Sequence, residues 1–304
     1  WRKASRHRTG SIARHGGDKF LARKTAAKAG KPTSSPTVYK ASTPSPAHNG
    51  PHLRIFAAIA VAVTALILPV AASYGDTLFI EEMTSAEVAM ALQRGVRTII
   101  VPTGGIEQGG PHLITAKHNH IVRHTAAAVA QGLGDALVAP VVVYVPQGQI
   151  EPPQGHMKFP GTVSLPEPVF KAVLENIARS FKAHGFTEIL FLGDSGGNQR
   201  SQNAVADKLN QEWAGTNTRA LHLSDYYDPE ANGQFAWMRQ NGLSTAAIPG
   251  HGDLRDTSEL MAVYPNGVRG QPHGASATLG RIFLDLKITA ALSQVRRWRA
   301  GFKN

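Results

Sequence analysis

The sequence of 304 residues contains no cysteine. This excludes disulfides, a cysteine nucleophile and thiolate metal centres, so any metal must be held by nitrogen and oxygen donors. Acidic residues are almost missing from residues 1–54, which hold 12 Lys or Arg against one acid, Asp18. The remainder carries 20 basic and 20 acidic residues, so the net charge of +11 belongs to this leader. The charge therefore gives no reason to expect nucleic acid as the ligand of the rest of the chain. The leader also lacks apolar periodicity and is rich in Ser, Thr, Pro and Gly. It reads as a basic disordered segment, unable to bury enough apolar surface to offset its chain entropy.

Charge is absent altogether from Ile55–Ser73, IFAAIAVAVTALILPVAAS. The length is at the lower edge of a membrane span. Pro69 followed by Val70, Ala71 and Ala72 resembles a signal-peptidase site. The run reads as a signal peptide or, if uncleaved, as a membrane anchor. The domain of residues 74–304 is then exported, periplasmic or secreted, or held at a membrane through 55–73.

Within that domain, apolar strands alternate with amphipathic helices. Thr84 and Glu87 form a capping box that opens a helix to about Arg94. A strand over 96–101 is expected to stop at Pro102, and a helix follows from His120 to Leu133. Ala136 to Val145 reads as one near-continuous buried strand. Pro166 to Ala183 is a helix with Val169, Phe170, Val173, Leu174, Ile177 and Phe181 on one face. A third strand, Thr187 to Leu192, precedes a helix from Asn198 to Gly215, and a fourth strand covers Ala220 to Leu223. Helices are expected again at Thr257 to Val263 and at about Ser276 to Trp298. This alternation predicts an α/β fold, a three-layer sandwich with a mainly parallel sheet flanked by helices.

Polar clusters follow the strands at 102–119, 146–162, 193–199 and 224–228, with a fifth at 251–259. In a parallel sheet the strand ends share one edge, where α/β folds place their sites. The loops hold Glu107, His112, His118, His120, Asp194, His251, Asp253 and Asp256, a donor pool without sulfur that suits Zn²⁺, Mn²⁺ or Fe²⁺. Ser195 lies in GDSGG, which is not the GxSxG pattern of a nucleophile elbow.

Four stretches together carry a family resemblance. VPTGGIEQGGPHL at 101–113 resembles the creatininase (creatinine amidohydrolase) signature PxGxxEQHGPHLP. FPGTVSLPEPVF at 159–170, HGFTEILFLGDSGGNQ at 184–199 and HGDLRDTSELM at 251–261 are similar to its FPGT, NGHGGN and ETS segments, in the same order. The resemblance implies a creatininase-like fold, a site for one or two divalent ions (Zn²⁺ or Mn²⁺), hydrolysis of a cyclic or linear amide C–N bond in a small-molecule substrate, and a homo-oligomer, commonly a hexamer. It places Glu107, His118 and Asp256 as metal ligands and Asp194 or His251 as proton carriers. His112, His156, Ser195 and Gly196 fall on the substrate side. The sequence also departs from the pattern. Gly109 stands where the family has His, His118 where it has Asp, Ser195 where it has His, and Gly197 where creatininase has an acid. A metal-free pseudoenzyme or small-molecule binding module of the same fold is the alternative that these departures motivate.

Overall fold

A computed structural model describes residues 77–246, 251–270, 272 and 274–301. The basic leader and the 55–73 run lie outside the described residues. Among the described residues, no helix is long and apolar enough to cross a membrane.

Four parallel strands form one sheet: β1 Thr98–Thr103, β2 Ala136–Val138, β3 Glu188–Gly193 and β4 Arg219–His222, in the order β2-β1-β3-β4. Every residue of β1 is buried. Its side chains alternate between two cores, as the period of a strand requires. Ile99 and Val101 pack with Phe170, Leu174, Val205 and Leu209. These come from α3 (Glu167–Ala183) and α4 (Gly196–Glu212). On the opposite face, Ile100 packs with Val122, Ala126, Ala291 and Val295, from α2 (Lys117–Leu133) and α8 (Ala277–Ala300). Helices therefore cover both faces of a parallel sheet, the expected three-layer sandwich. Full burial of Phe170 and of Leu174 each contributes about 1.5–3 kcal/mol to holding α3 on the sheet.

The short elements complete the frame: α1 Ser85–Gln93, α5 Ser224–Tyr227, α6 Gln234–Gln240 and α7 Leu254–Val263. The Thr84–Glu87 capping box is present at α1. Two strand expectations are corrected. Pro102 lies inside β1, opposite Leu192, and the strand runs on to Thr103. A proline is tolerated there because β2 has already ended on the other side, opposite Ile100. The long strand expected over 136–145 ends at Val138. Pro140 lacks an N–H to continue a ladder, and only an isolated bridge from Val142 to Thr103 follows. The helix expected from Thr257 starts three residues earlier, because Asp253 rather than Asp256 caps it. Helix α6 lies in a stretch that sequence periodicity leaves as a polar connection.

Sequential order and spatial order diverge at β1: the chain moves to β2 on one side and returns to β3 on the other. The gap between the carboxyl ends of β1 and β3 is the switch point where α/β sheets bind ligands. Glu107 follows β1 and Asp194 follows β3, so both are delivered to this gap.

Candidate metal centre

The loop after β1 is held by backbone bonds, including Glu107 N–H to the Thr115 carbonyl at 3.0 Å. Glu107 is thereby fixed and only 2% exposed. Helix α2 begins ten residues later, so its first turn points Lys117 and His118 at the same carboxylate. His118 bridges two acids. Its Nε2 lies 2.7 Å from Glu107 Oε1 and its Nδ1 lies 2.9 Å from Asp194 Oδ2. Burial and the neighbouring Lys117 pull its pKa down, but the two carboxylates outweigh them and raise it to about 9. His118 is thus an imidazolium at neutral pH. Burial pushes Glu107 up, yet His118, Lys117 and His156 bring it down to about 2, so it is a carboxylate.

Three side chains converge on the open side of Glu107. His156 Nε2 lies 3.6 Å from Oε2, and His251 Nδ1 lies 3.8 Å from Oε1. The two imidazoles meet edge to face, with ring centroids 4.3 Å apart. One donor atom from each of the three lies within 4.8 Å of the others. Ligand atoms about 2.0–2.2 Å from one tetrahedral ion lie about 3.4 Å from each other, so small side-chain adjustments suffice. The donor set fits the group: one carboxylate and two imidazoles, without sulfur, is the chemistry that Zn²⁺ and Mn²⁺ accept. Burial, only partly opposed by Glu107, lowers the pKa of His156, which leaves a neutral ring able to donate a lone pair. His251 has φ 69°, the left-handed region that a β-carbon disfavours. A non-glycine residue held there is a placed side chain, at a cost of about 1–3 kcal/mol.

These three residues open on a cavity of about 580 Å³, which Ser195, Gly196, Tyr227 and Asp256 also line. Ser195 is the N-cap of α4, and Gln147 Nε2 donates to its hydroxyl at 3.4 Å. Gly197 is dictated by close approach: a β-carbon there would stand 2.2 Å from the Pro146 carbonyl oxygen. Gly197→Ala is expected to destabilise the domain by about 1–3 kcal/mol, by driving the Pro146 loop off α4. A melting curve checks this; a loss below about 0.5 kcal/mol would mean that the loop yields freely.

Several expected roles need correction. Both ring nitrogens of His118 are taken by carboxylates, so as placed it has no lone pair for a metal. Asp256 is engaged by Lys117, a buried cation, and not by the Glu107 donor set. Asp194 is not part of the cavity wall. Its Oδ1 accepts from Tyr226 at 2.6 Å and from Lys287 at 2.5 Å, its Oδ2 pairs with His118, and it is 2% exposed. It therefore reaches a bound molecule only through His118. His112 ties its ring to Thr257 Oγ1 at 3.0 Å and supports the turn at Gly252 instead of lining the cavity. His251, expected to carry protons, and His156, expected to face substrate, are the two imidazoles that approach Glu107 from the cavity.

Sequence reasoning missed the two buried lysines. Lys117 has no exposed side-chain surface and pairs with Asp256 and, at 3.7 Å, with Glu107. Lys287 pairs with Asp194 and, at 3.0 Å, with Glu259. A signal for the second existed. Phe283, Lys287, Ala291 and Val295 recur every four residues and are all buried, so this lysine sits on the apolar stripe of α8.

Residues 81–276 match the creatininase family, described as creatinine amidohydrolase. The chain is 27% identical over 222 residues to a mycofactocin precursor peptide peptidase of Mycolicibacterium smegmatis, covering 67% of this chain and 86% of that protein. It is 24% identical over 193 residues to a creatinine amidohydrolase of Pseudomonas putida, covering 62% and 73% respectively. A solved creatinine amidohydrolase (creatininase) structure aligns with a TM-score of 0.58 at 21% identity, over 73% of this chain and 98% of that one. That similarity shows the shared fold.

Proposed function

The chain belongs to the creatininase family, and from that premise we propose that it is a metal-dependent hydrolase of a cyclic or linear amide C–N bond in a small-molecule substrate. The observation that carries this reading is the convergence of Glu107, His156 and His251 on the wall of a cavity of about 580 Å³. Two of the similar proteins are named for amide-bond cleavage, one of a precursor peptide and one of creatinine.

Glu107, His156 and His251 would hold a divalent ion, Zn²⁺ or Mn²⁺, which when bound supplies Lewis acidity toward a carbonyl oxygen and acidifies water. The protein's own groups do the rest. His118 and Lys117 keep Glu107 ionised across the neutral range. Gly196 and Gly197, in the first turn of α4, line the cavity, and the positive end of that helix favours an oxygen on which negative charge develops. Burial raises the pKa of Tyr227, so its hydroxyl keeps its proton and serves as a donor beside Gly196. The uncharged run at 55–73 supports export of the domain, and the family resemblance supports a homo-oligomer.

Metal analysis of the purified protein, together with hydrolysis of creatinine and of short peptides, tests the reading. Stoichiometric Zn²⁺ or Mn²⁺ is expected. Chelation and Glu107→Ala are each expected to abolish both the metal and any hydrolysis found. Absence of bound metal, or hydrolysis that survives both treatments, overturns it.

A further inference from the structure

Two carboxylates of the cavity, Glu107 and Asp256, already share a cation. The Lys117 ammonium lies 3.7 Å from Glu107 Oε1 and closer still to an Asp256 oxygen. It comes from the first turn of α2 and has no exposed surface, whereas Asp256 is one-quarter exposed and forms part of the cavity wall. An ion arriving from solvent therefore has a path to that carboxylate. The stem of Lys117 packs within van der Waals reach of position 109, where Leu113 leaves little room for a side chain. A β-carbon on Gly109 would stand 2.9 Å from Leu113 Cβ and 3.5 Å from Lys117 Cδ. The lysine is thus packed into a slot beside the metal-binding carboxylate, with its charge set between two acids.

We propose that Lys117 is a built-in cation that occupies a second ion's place at Glu107 and Asp256, and so limits the centre to the single ion held by Glu107, His156 and His251. The position of the ammonium carries the proposal. Two carboxylates that lie close together in a buried setting need positive charge between them. An ammonium supplies it permanently, without the ligand exchange of a metal. A divalent ion at the same place would have to displace a side chain that is fully enclosed. The fixed charge also holds Glu107 in the orientation in which it faces His156 and His251, which makes Lys117 a positioning residue.

The inference rests on the metal-dependent reading, and a difference in count separates the two. The full chain, Lys117→Ala and Lys117→Arg are dialysed against Zn²⁺ and against Mn²⁺, and bound metal per chain is measured. Lys117→Ala is expected to bind one ion more than the unaltered chain and to gain a larger rise in melting temperature on adding metal. Lys117→Arg keeps a cation in the slot and is expected to keep the original count. Lys117→Ala combined with Asp256→Leu removes both charges together, so it is expected to fold without added ion and also to keep that count. An unchanged count in Lys117→Ala overturns the proposal, and so does an extra ion in the double variant, which would lie elsewhere. Zero metal on the unaltered chain would overturn the functional reading instead, and a gain of one in Lys117→Ala would still support the role of the lysine.

Discussion

Replacing Lys287 with methionine is expected to destabilise the domain by about 3–5 kcal/mol, because it removes the cation that two buried carboxylates share. Lys287 donates to Asp194 at 2.5 Å and to Glu259 at 3.0 Å, and all three side chains are almost fully enclosed. The two acids do not depend on it equally. Burial opposes the charge on both, but Lys287 and His118 hold the pKa of Asp194 below its ordinary value, whereas that of Glu259 is raised. Asp194 is therefore the partner that holds its charge more firmly, and the methionine variant leaves it with His118 alone as a cation. Glu259→Gln removes the weaker partner and can keep a hydrogen bond to Lys287. It is expected to cost at most about 1.5 kcal/mol. In a domain of this size the lysine variant should melt about 10 °C lower. Equal losses in the two variants, or a Lys287→Met chain as stable as the parent, would disprove this division of charge.

The second large effect is on pH dependence. His118 has a folded-state pKa of about 9 against an ordinary 6.5. A raised value means that the folded protein binds the proton more tightly, so the stabilisation is complete below pH 6.5 and is lost as pH climbs through 9. Glu107 is the opposite case, lowered to about 2 from 4.5. Its stabilisation is complete above pH 4.5 and is lost as pH falls through 2. The two windows leave a plateau at pH 4.5–6.5. Each flank should fall by about 3 kcal/mol. The two flanks describe one buried interaction approached from its two partners, so the amounts do not add. Urea midpoints of the chelated protein across pH measure the profile, with His118→Gln as the comparison. If the variant declines between pH 6.5 and 9 as steeply as the parent, His118 is not the titrating group.

Much of the frame was legible in the sequence because it is written in short-range patterns. The apolar face of α3 and the capping box of α1 each lie within one element. The capping box forms as expected, and Phe170, Leu174, Ile177 and Phe181 of the α3 face pack on the core, whereas Val169 at the helix start is 46% exposed. The misreadings were of two kinds. At 136–145 the apolar run was read as continuous strand although Pro140 interrupts it, and the lack of one N–H decided the matter. At 234–240 a helix forms around four consecutive apolar residues, 235–238, a run too short to show helical periodicity. Its Met238 and Gln234 are buried by tertiary packing, which propensity alone does not encode.

The candidate site divides along the same line. By itself the sequence determined the fold class, the delivery of five polar loops to one sheet edge and the presence of Glu107 among them, because the alternation of strands with helices and the positions of the loops follow from local periodicity. It also showed which donors were missing, at Gly109, Ser195 and Gly197. Only the tertiary structure decided which groups meet. Lys117 pairs with a residue 139 positions away and Asp194 with one 93 positions away, separations over which no local pattern carries information. His118 passed from a ligand on paper to an imidazolium between two acids, because burial made each neighbouring charge demand a partner. His156 and His251 became the open donors because they reach Glu107 from the side that faces the cavity.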